Sequence, residues 1–308
     1  MTPSYALVIP TIGRPSLNRL LAALGEGARL PAGEVIIVDD RPGRPAPLWP
    51  TTGFLAITGL RSGGRGPAAA RNVGWQAARA DWICFLDDDV VPGRNWCERL
   101  ETDLCDAGPD VVGSQARIVV PRPAYRCPFD HERRTLRLAD ARWITADMAY
   151  RREALVACGG FDERFPRAYR EDADIALCLT KAGGRITVGT RETARPIAGR
   201  GSDTSRVLSS VGVQRGNRDD ELMRREHGHG WRAAIGEGRG RLPLHLIACA
   251  AAMGGILGLL GRRRGLLRPR WPAWLGITVD FALRRIAAGP RSRREAIATV
   301  ISSMHILR

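Results

Sequence analysis

Lysine is all but missing from this chain: Lys181 is the single lysine among 47 basic residues, and arginine supplies the rest. The seven cysteines, at 84, 97, 105, 127, 158, 178 and 249, are odd in number and contain no C-x-x-C pair. Neither a disulfide framework nor a zinc site is therefore expected, and a reducing cytoplasm fits. No signal-peptide pattern precedes the first strand-like run at Tyr5, and no internal repeat or low-complexity linker is found. The Gly-rich stretch Arg61–Gly74 is neither G-x-G-x-x-G nor the P-loop pattern, which excludes two familiar phosphate-cradling signatures.

What is there is enough for a large core. The 308 residues, 44% of them apolar, suit one large α/β domain with an appendage. The net charge of +15 is uneven: from Arg224 to Arg308 sixteen arginines face four carboxylates (Glu226, Glu237, Asp280, Glu295), a net +12. A basic tail points to an anionic partner, namely membrane phospholipid, nucleic acid or a phosphate-bearing acceptor. A solvated Arg-rich surface is the plainer alternative.

Strand and helix patterns alternate through the first half. Tyr5–Pro10, Glu34–Asp39, Phe54–Thr58 and Trp82–Leu86 read as buried strands. Helical spacing marks Pro15–Leu24 and Gly66–Arg79. Repeated βα units imply a mostly parallel, doubly wound sheet. Further on, Asp110–Val120 is strand-like, Arg142–Tyr150 reads as strand then turn, and Arg151–Cys158 and Glu171–Ala182 read as helices stopped by paired glycines. Beyond Thr204 the character changes. Leu244–Leu260 is apolar apart from His245 and is followed by Arg262–Arg264. A tilted span, a re-entrant hairpin, an interfacial helix and a buried helix all remain open; Trp271, Trp274 and Phe281 beside arginines favour the interface.

Open parallel sheets bind ligands at the carboxyl ends of their strands. Pro10-Thr11, Asp39-Asp40 and Asp87-Asp88-Asp89 stand at such ends. Single carboxylates there are ordinary turn or cap residues. Three in a row repel unless a cation joins them, and Mg²⁺ or Mn²⁺ does so while also taking substrate phosphate oxygens. Arg65 and Arg71, in the Gly-rich stretch, can meet phosphates or a base edge. Glu171, Asp172 and Asp174 open a helix, where they serve either as helix-dipole partners or as a general base for an acceptor hydroxyl. His227-Gly228-His229-Gly230 lacks a suitably spaced third ligand and reads as a surface loop; His131 reads as structural or acceptor-facing.

VIPTIGRP at 8–15, VDD at 38–40, GPAAARNVG at 66–74, FLDDDV at 85–90, MAYRREAL to GGFDERF at 148–165 and REDADIALCL at 170–179 occur in order. Together they resemble the family-2 inverting glycosyltransferases of the GT-A fold, over roughly residues 5–190. The resemblance implies that Pro10, Thr11, Asp39 or Asp40, Arg65 and Arg71 hold the nucleotide. It also implies a D-x-D motif, with Asp87 near the ribose, Asp88 among the nucleotide-sugar contacts, and Asp89, with Asp87, on a Mn²⁺ or Mg²⁺ ion that bridges the diphosphate. Asp172 would be the catalytic base, supported by Glu171, with Asp174 toward the acceptor. UDP- and dTDP-sugars are the donors it favours, GDP-sugars the alternative; acceptors include lipid-linked and polysaccharide chains.

Asp147 departs from the pattern, standing where the family more often has a small or amide residue, and is taken as acceptor-side. The boundaries drawn are a 1–205 domain, with a nucleotide-binding half at 1–115 and an acceptor half at 116–205, and a helical, basic and apolar extension at 206–308. That extension is expected to touch the inner face of the cytoplasmic membrane. A sugar-phosphate nucleotidylyltransferase is the enzyme rival, but its Gly-rich loop follows the first strand, where Pro10–Arg14 stands here. A non-catalytic membrane-bound scaffold is the other. A nucleic-acid partner is set aside, because the arginines cluster beside tryptophan and aliphatic runs without a binding motif.

Overall fold

The computed structural model describes residues 3–43, 46, 55–122, 128, 130–197, 216–238, 242–260 and 270–287. The chain forms two compact units. The first comprises Met1–Pro121, Thr135–Ile197 and Asp219–Gly236; the second comprises Arg122–Arg134, Ala198–Arg218 and Glu237–Arg308.

The first unit is built on one eight-stranded sheet. Its strands are β1 (Tyr5–Thr11), β2 (Glu34–Asp39), β3 (Ile57–Arg61), β4 (Trp82–Leu86), β5 (Val91–Pro92), β6 (Val111–Val119), β7 (Asp147–Arg151) and β8 (Arg185–Ala194), in the order β3-β2-β1-β4-β7-β6-β8-β5. The β3-β2-β1-β4 half is parallel. Beyond β4 the sheet is mixed: β7 runs antiparallel to both neighbours, while β6 and β8 are parallel to each other. The carboxyl ends of β1, β2, β4, β6 and β8 therefore share one edge with the start of β7.

Residue alternation sorts the core into two layers. Tyr5, Leu7, Ile9, Val35, Ile37, Trp82, Cys84 and Leu86 face one side, packed on α1 (Ser16–Gly25) and α3 (Trp96–Cys105). Ala6, Val8, Ile36, Val38, Ile83, Phe85, Met148 and Tyr150 face the other, against α2 (Pro67–Ala77), α5 (Arg152–Cys158) and α6 (Glu171–Lys181). The short helix α4 (Asp130–Leu136) intervenes in chain order. Both faces are covered, so the strands read as unbroken apolar runs. Two of the sterically required glycines lie in the Gly-rich stretch and its helix. A Cβ on Gly74 would lie 2.3 Å from Val8, so α2 packs directly on β1. Gly66 has φ 101° and a Cβ there would lie 2.4 Å from the Pro166 carbonyl oxygen.

The contact-defined unit extends past residue 205. Helices α7 (Gly216–His227) and α8 (Trp231–Ala234) bring Met223, Trp231 and Ile235 onto Phe165, Ala173 and Leu177, forming a third buried cluster. Arg170 stacks over Trp231 at 4.7 Å and bonds Asp220 at 2.8 Å. This holds Arg170 in the left-handed region, at φ 79°, immediately before α6.

In the second unit α9 (Leu242–Leu260) packs on α10 (Arg270–Ala287). The apolar run is one helix, and Leu244, Ile247, Met253, Ile256 and Leu257 on α9 and Leu275, Val279 and Leu283 on α10 are exposed. Among the described residues no helix is long and apolar enough to cross a membrane. Arg262–Arg264 lie outside the described residues.

Candidate active site

At the carboxyl edge of the parallel half lies a cleft of about 440 Å³. Its walls include Pro10, Thr11, Arg14, Asp40, Gly66, Arg71, Asp87, Asp88 and Arg195, with Pro166–Ala168 opposite the Gly-rich loop. Six of the residues singled out in the sequence, Pro10, Thr11, Asp40, Arg71, Asp87 and Asp88, thus meet in one place.

The loop after β4 organises it. Thr11 Oγ1 donates to Asp88 Oδ2 at 2.7 Å, tying the ends of β1 and β4 together. Arg14 reaches Asp88 and Asp89, each at 3.2 Å. Arg71 is only 3% exposed and donates through Nη2 to Asp87 Oδ1 at 3.0 Å and through Nη1 to Glu171 Oε1 at 2.9 Å. Arg195, immediately after β8, donates to Asp87 Oδ2 at 3.0 Å and to Asp89 Oδ2 at 2.8 Å. Three guanidinium groups thus face four carboxylates, those of Asp87, Asp88, Asp89 and Glu171.

Burial and these partners set the proton affinities. Burial alone would raise Asp87, but Arg71 and Arg195 outweigh it and hold the carboxyl below its ordinary value. Burial raises Asp88 and Asp89, against Thr11 and Arg14 at the first and Arg195 at the second. Glu171 is raised by burial and by the adjacent Asp172 charge, with Arg71 opposing; Asp172 is raised by burial, again against Arg71. Asp172 Oδ1 accepts the Ala173 amide at 2.8 Å in the first turn of α6. Arg71 therefore links the acidic loop after β4 to the acidic start of α6.

Among the described residues no group of three or more His, Cys, Asp or Glu side chains could hold a metal ion. One feature does fit a cation whose remaining ligands are phosphate oxygens: Asp89 Oδ1 is buried without a hydrogen-bond partner. Glu171 Oε2 and the Tyr150 hydroxyl are buried in the same condition.

Asp40 lines the cleft, whereas Asp39, Arg65, Asp89, Asp147, Glu171, Asp172 and Asp174 are not among its lining residues. Asp40 is held by Ser62 Oγ at 2.6 Å and the Gly66 amide at 3.0 Å, shaping the Gly-rich loop. Asp39 is buried and accepts from Arg41, whose hydrogen bonds hold its carboxyl below the ordinary range. Arg65 donates to the Ser62 carbonyl at 2.9 Å and to Glu163 at 2.8 Å, and does not line the cleft. Asp147 is fully buried and accepts from Trp96 at 2.6 Å, Arg191 at 2.9 Å and Thr193. Alternation along β7 places it with Ala149 on the α3 face, away from α6. Asp174 binds His227 at 2.7 Å beside a second cleft that includes Cys158, Cys178 and Lys181. His227 is thus a helix-end residue with a carboxylate partner. The side chain of His131 lies outside the described residues.

Arg14, Tyr150 and above all Arg195 were not singled out in the sequence. Reading Arg185–Ala194 as a strand would have placed Arg195 at the same sheet edge.

The Glycosyl transferase family 2 model matches residues 6–156. Two curated relatives, the Pre-mycofactocin glycosyltransferases of Mycobacterium tuberculosis strains CDC 1551 / Oshkosh and ATCC 25618 / H37Rv, are each 33% identical over 196 residues. The match takes in 58% of this chain and 40% of each relative, so the chain spans less than half the length of those proteins. Among solved structures, the mannosyltransferase PcManGT from Pyrobaculum calidifontis, in complex with GDP-Man and Mn2+, superposes with a TM-score of 0.53 at 18% identity. That superposition covers 99% of this chain and 86% of PcManGT. With the cleft-lining Thr11, Arg71 and Asp87–Asp88 all inside the matched segment, residues 6–156 are a glycosyl transferase family 2 segment, and the chain has the GT-A fold.

Proposed function

We propose that this protein is an inverting glycosyltransferase that passes a sugar from a nucleoside-diphosphate sugar to an acceptor hydroxyl. The observation that carries this reading is the Arg71 bridge, which fixes the acidic loop after β4 and the acidic start of α6 within one guanidinium of each other. Donor and base chemistry are then joined through Arg71, which lines the cleft.

In this reading the nucleotide lies along Pro10, Thr11 and Asp40, with Asp39 stiffening the end of β2 through Arg41. Asp87 and Asp88 face the ribose and diphosphate side. Mn²⁺ or Mg²⁺, when bound, neutralises charge on the departing diphosphate, and Asp89 with Asp87 would hold it. Asp172 takes the acceptor proton as the hydroxyl oxygen bonds to the anomeric carbon and the bond to the diphosphate breaks. A single displacement inverts that carbon and needs no covalent nucleophile. Burial raises the proton affinity of Asp172 and makes it a better base near neutral pH. Glu171 and Arg71 set its position. Arg65 holds the Gly-rich loop to Glu163, while Asp147 and Asp174 act through their partners Arg191 and His227, away from the cleft.

UDP- and dTDP-sugars are the donors proposed, with GDP-sugars third. The acceptor proposed is a lipid-linked or polysaccharide chain of the cell envelope, met at the inner face of the cytoplasmic membrane. Two features support that location: the exposed apolar side chains of α9 and α10, and the net +12 of residues 224–308.

Paired substitutions test the roles. Asp89→Asn is expected to abolish transfer and metal-dependent nucleotide binding together. Asp172→Asn is expected to abolish transfer and leave nucleotide binding within about twofold. Equal loss of donor binding in both variants overturns the assignment.

A further inference from the structure

The acidic loop already holds a cation of its own. Asp87 and Asp89 present four carboxylate oxygens, and guanidinium groups hold three of them: Arg71 takes Asp87 Oδ1, Arg195 takes Asp87 Oδ2, and Arg195 with Arg14 takes Asp89 Oδ2. Only Asp89 Oδ1 lacks a partner.

Among the three arginines Arg195 alone joins the two ends of the D-x-D pair. Its planar fork spans both carboxylates, which a single ammonium point charge does less well. Its backbone is fixed. The Arg195 amide donates to the Val119 carbonyl at 2.8 Å, and Thr193 and Ala194 pair with β6 on one side and β5 on the other. The side chain is less constrained: it is 19% exposed and lines the cleft. A fixed backbone with a long side chain at a cleft wall allows the guanidinium to leave its carboxylates without the strand moving.

We infer that Arg195 is the resident counter-cation of the acidic loop, occupying the bridge between Asp87 and Asp89 until a divalent cation and a diphosphate arrive together. Two cations between the same carboxylates repel each other, so a metal ion reaching the bridge displaces Arg195. The displaced guanidinium then meets the incoming phosphate oxygens, whose charge it matches. Metal alone binds weakly, because it must break two charge-assisted bonds and leave Arg195 without a partner. Metal and nucleoside diphosphate bind cooperatively, each favouring the other by the same factor. Arg195 is thus a positioning residue that links metal occupancy to donor occupancy. The diphosphate half of this inference rests on the glycosyltransferase reading; the bridge and its competition with metal do not.

The test is a Mn²⁺ titration of the full chain without nucleotide, read by the paramagnetic resonance signal of free Mn²⁺. Arg195→Gln is expected to tighten Mn²⁺ binding by about tenfold or more over the wild type. Adding Asp89→Asn to Arg195→Gln is expected to remove the gain. A folded Arg195→Gln chain whose nucleotide-free Mn²⁺ affinity equals or falls below the wild-type value overturns the inference. Should the glutamine variant not fold, Arg195→Lys is read in the same way, with a smaller gain expected because a charge remains but the fork is lost. Failure of every nucleoside diphosphate to bind the wild type would count against the glycosyltransferase reading and leave the Mn²⁺ comparison standing.

Discussion

Replacing Arg71 with methionine removes the guanidinium that joins Asp87 to Glu171 and keeps the volume of the side chain nearly filled. Arg71 and the Glu171 side chain are each 3% exposed, so solvent does little to relieve the charges left behind. Breaking a buried pair by deleting one partner costs about 3–5 kcal/mol, and Arg71 serves two carboxylates, which places the expected loss toward the upper part of that range. The pH dependence has a definite sign. Burial and the Asp172 charge raise Glu171 against the opposing Arg71, so without Arg71 it rises further and its charged form is disfavoured more. Asp87 is held low by Arg71 and Arg195 against burial, so it rises too, and stability present above the ordinary carboxylate range is lost. Both shifts let the folded variant take up protons more readily than the wild type. The stability deficit of Arg71→Met therefore shrinks on acidification from about pH 8 to about pH 5. Denaturant unfolding followed by circular dichroism at the two pH values measures it. A deficit below about 1 kcal/mol, or one that is unchanged or larger at the acid end, refutes the reasoning.

Two further outcomes follow from the placement of residues outside the cleft. Asp147→Asn is expected to lower stability by about 3 kcal/mol, because Arg191 loses one of its two buried carboxylates, while nucleotide affinity stays unchanged in the folded fraction; a selective loss of transfer without destabilisation would return Asp147 to the acceptor site. On the second unit, Ile247→Glu with Leu257→Glu replaces two exposed side chains of α9. The full chain is expected to sediment with anionic vesicles and this variant to sediment several-fold less; equal sedimentation of both, or none by the wild type, removes the membrane contact.

Much of the fold was legible because its central strands are buried on both faces. β1, β2 and β4 are continuous apolar runs, and their ends carry Thr11, Asp39-Asp40 and Asp87–Asp89. Edge and mixed-face elements were harder. The third strand, expected at Phe54–Thr58, is found at Ile57–Arg61, with Phe54 itself outside the described residues; it is an edge strand with no buried residue and no period-two pattern. β8 carries no clear strand pattern, because RITVGTRETA mixes Arg, Gly, Glu and Thr, and its buried Arg191 is tolerable only through Asp103 and Asp147, which lie far off in sequence. Arg195, at the end of that strand, has no sequence signal for the same reason. Sequence position says nothing of which sheet face Asp147 occupies, whereas alternation with Met148 and Tyr150 places it on the α3 face. Met223, Trp231 and Ile235 join the core of the first unit through Phe165, Ala173 and Leu177, which lie far off in sequence, so no local pattern marks them.

The central claim is that the cleft at the ends of β1 and β4 is a nucleoside-diphosphate site that uses a metal. Calorimetric titration of UDP, dTDP and GDP into the full chain, with and without Mn²⁺, tests it most directly. Metal-dependent binding of one of the three, lost in Asp89→Asn, is the predicted result. No binding of any of them by well-folded protein would contradict the claim, leaving the GT-A fold in place but removing the donor site from it.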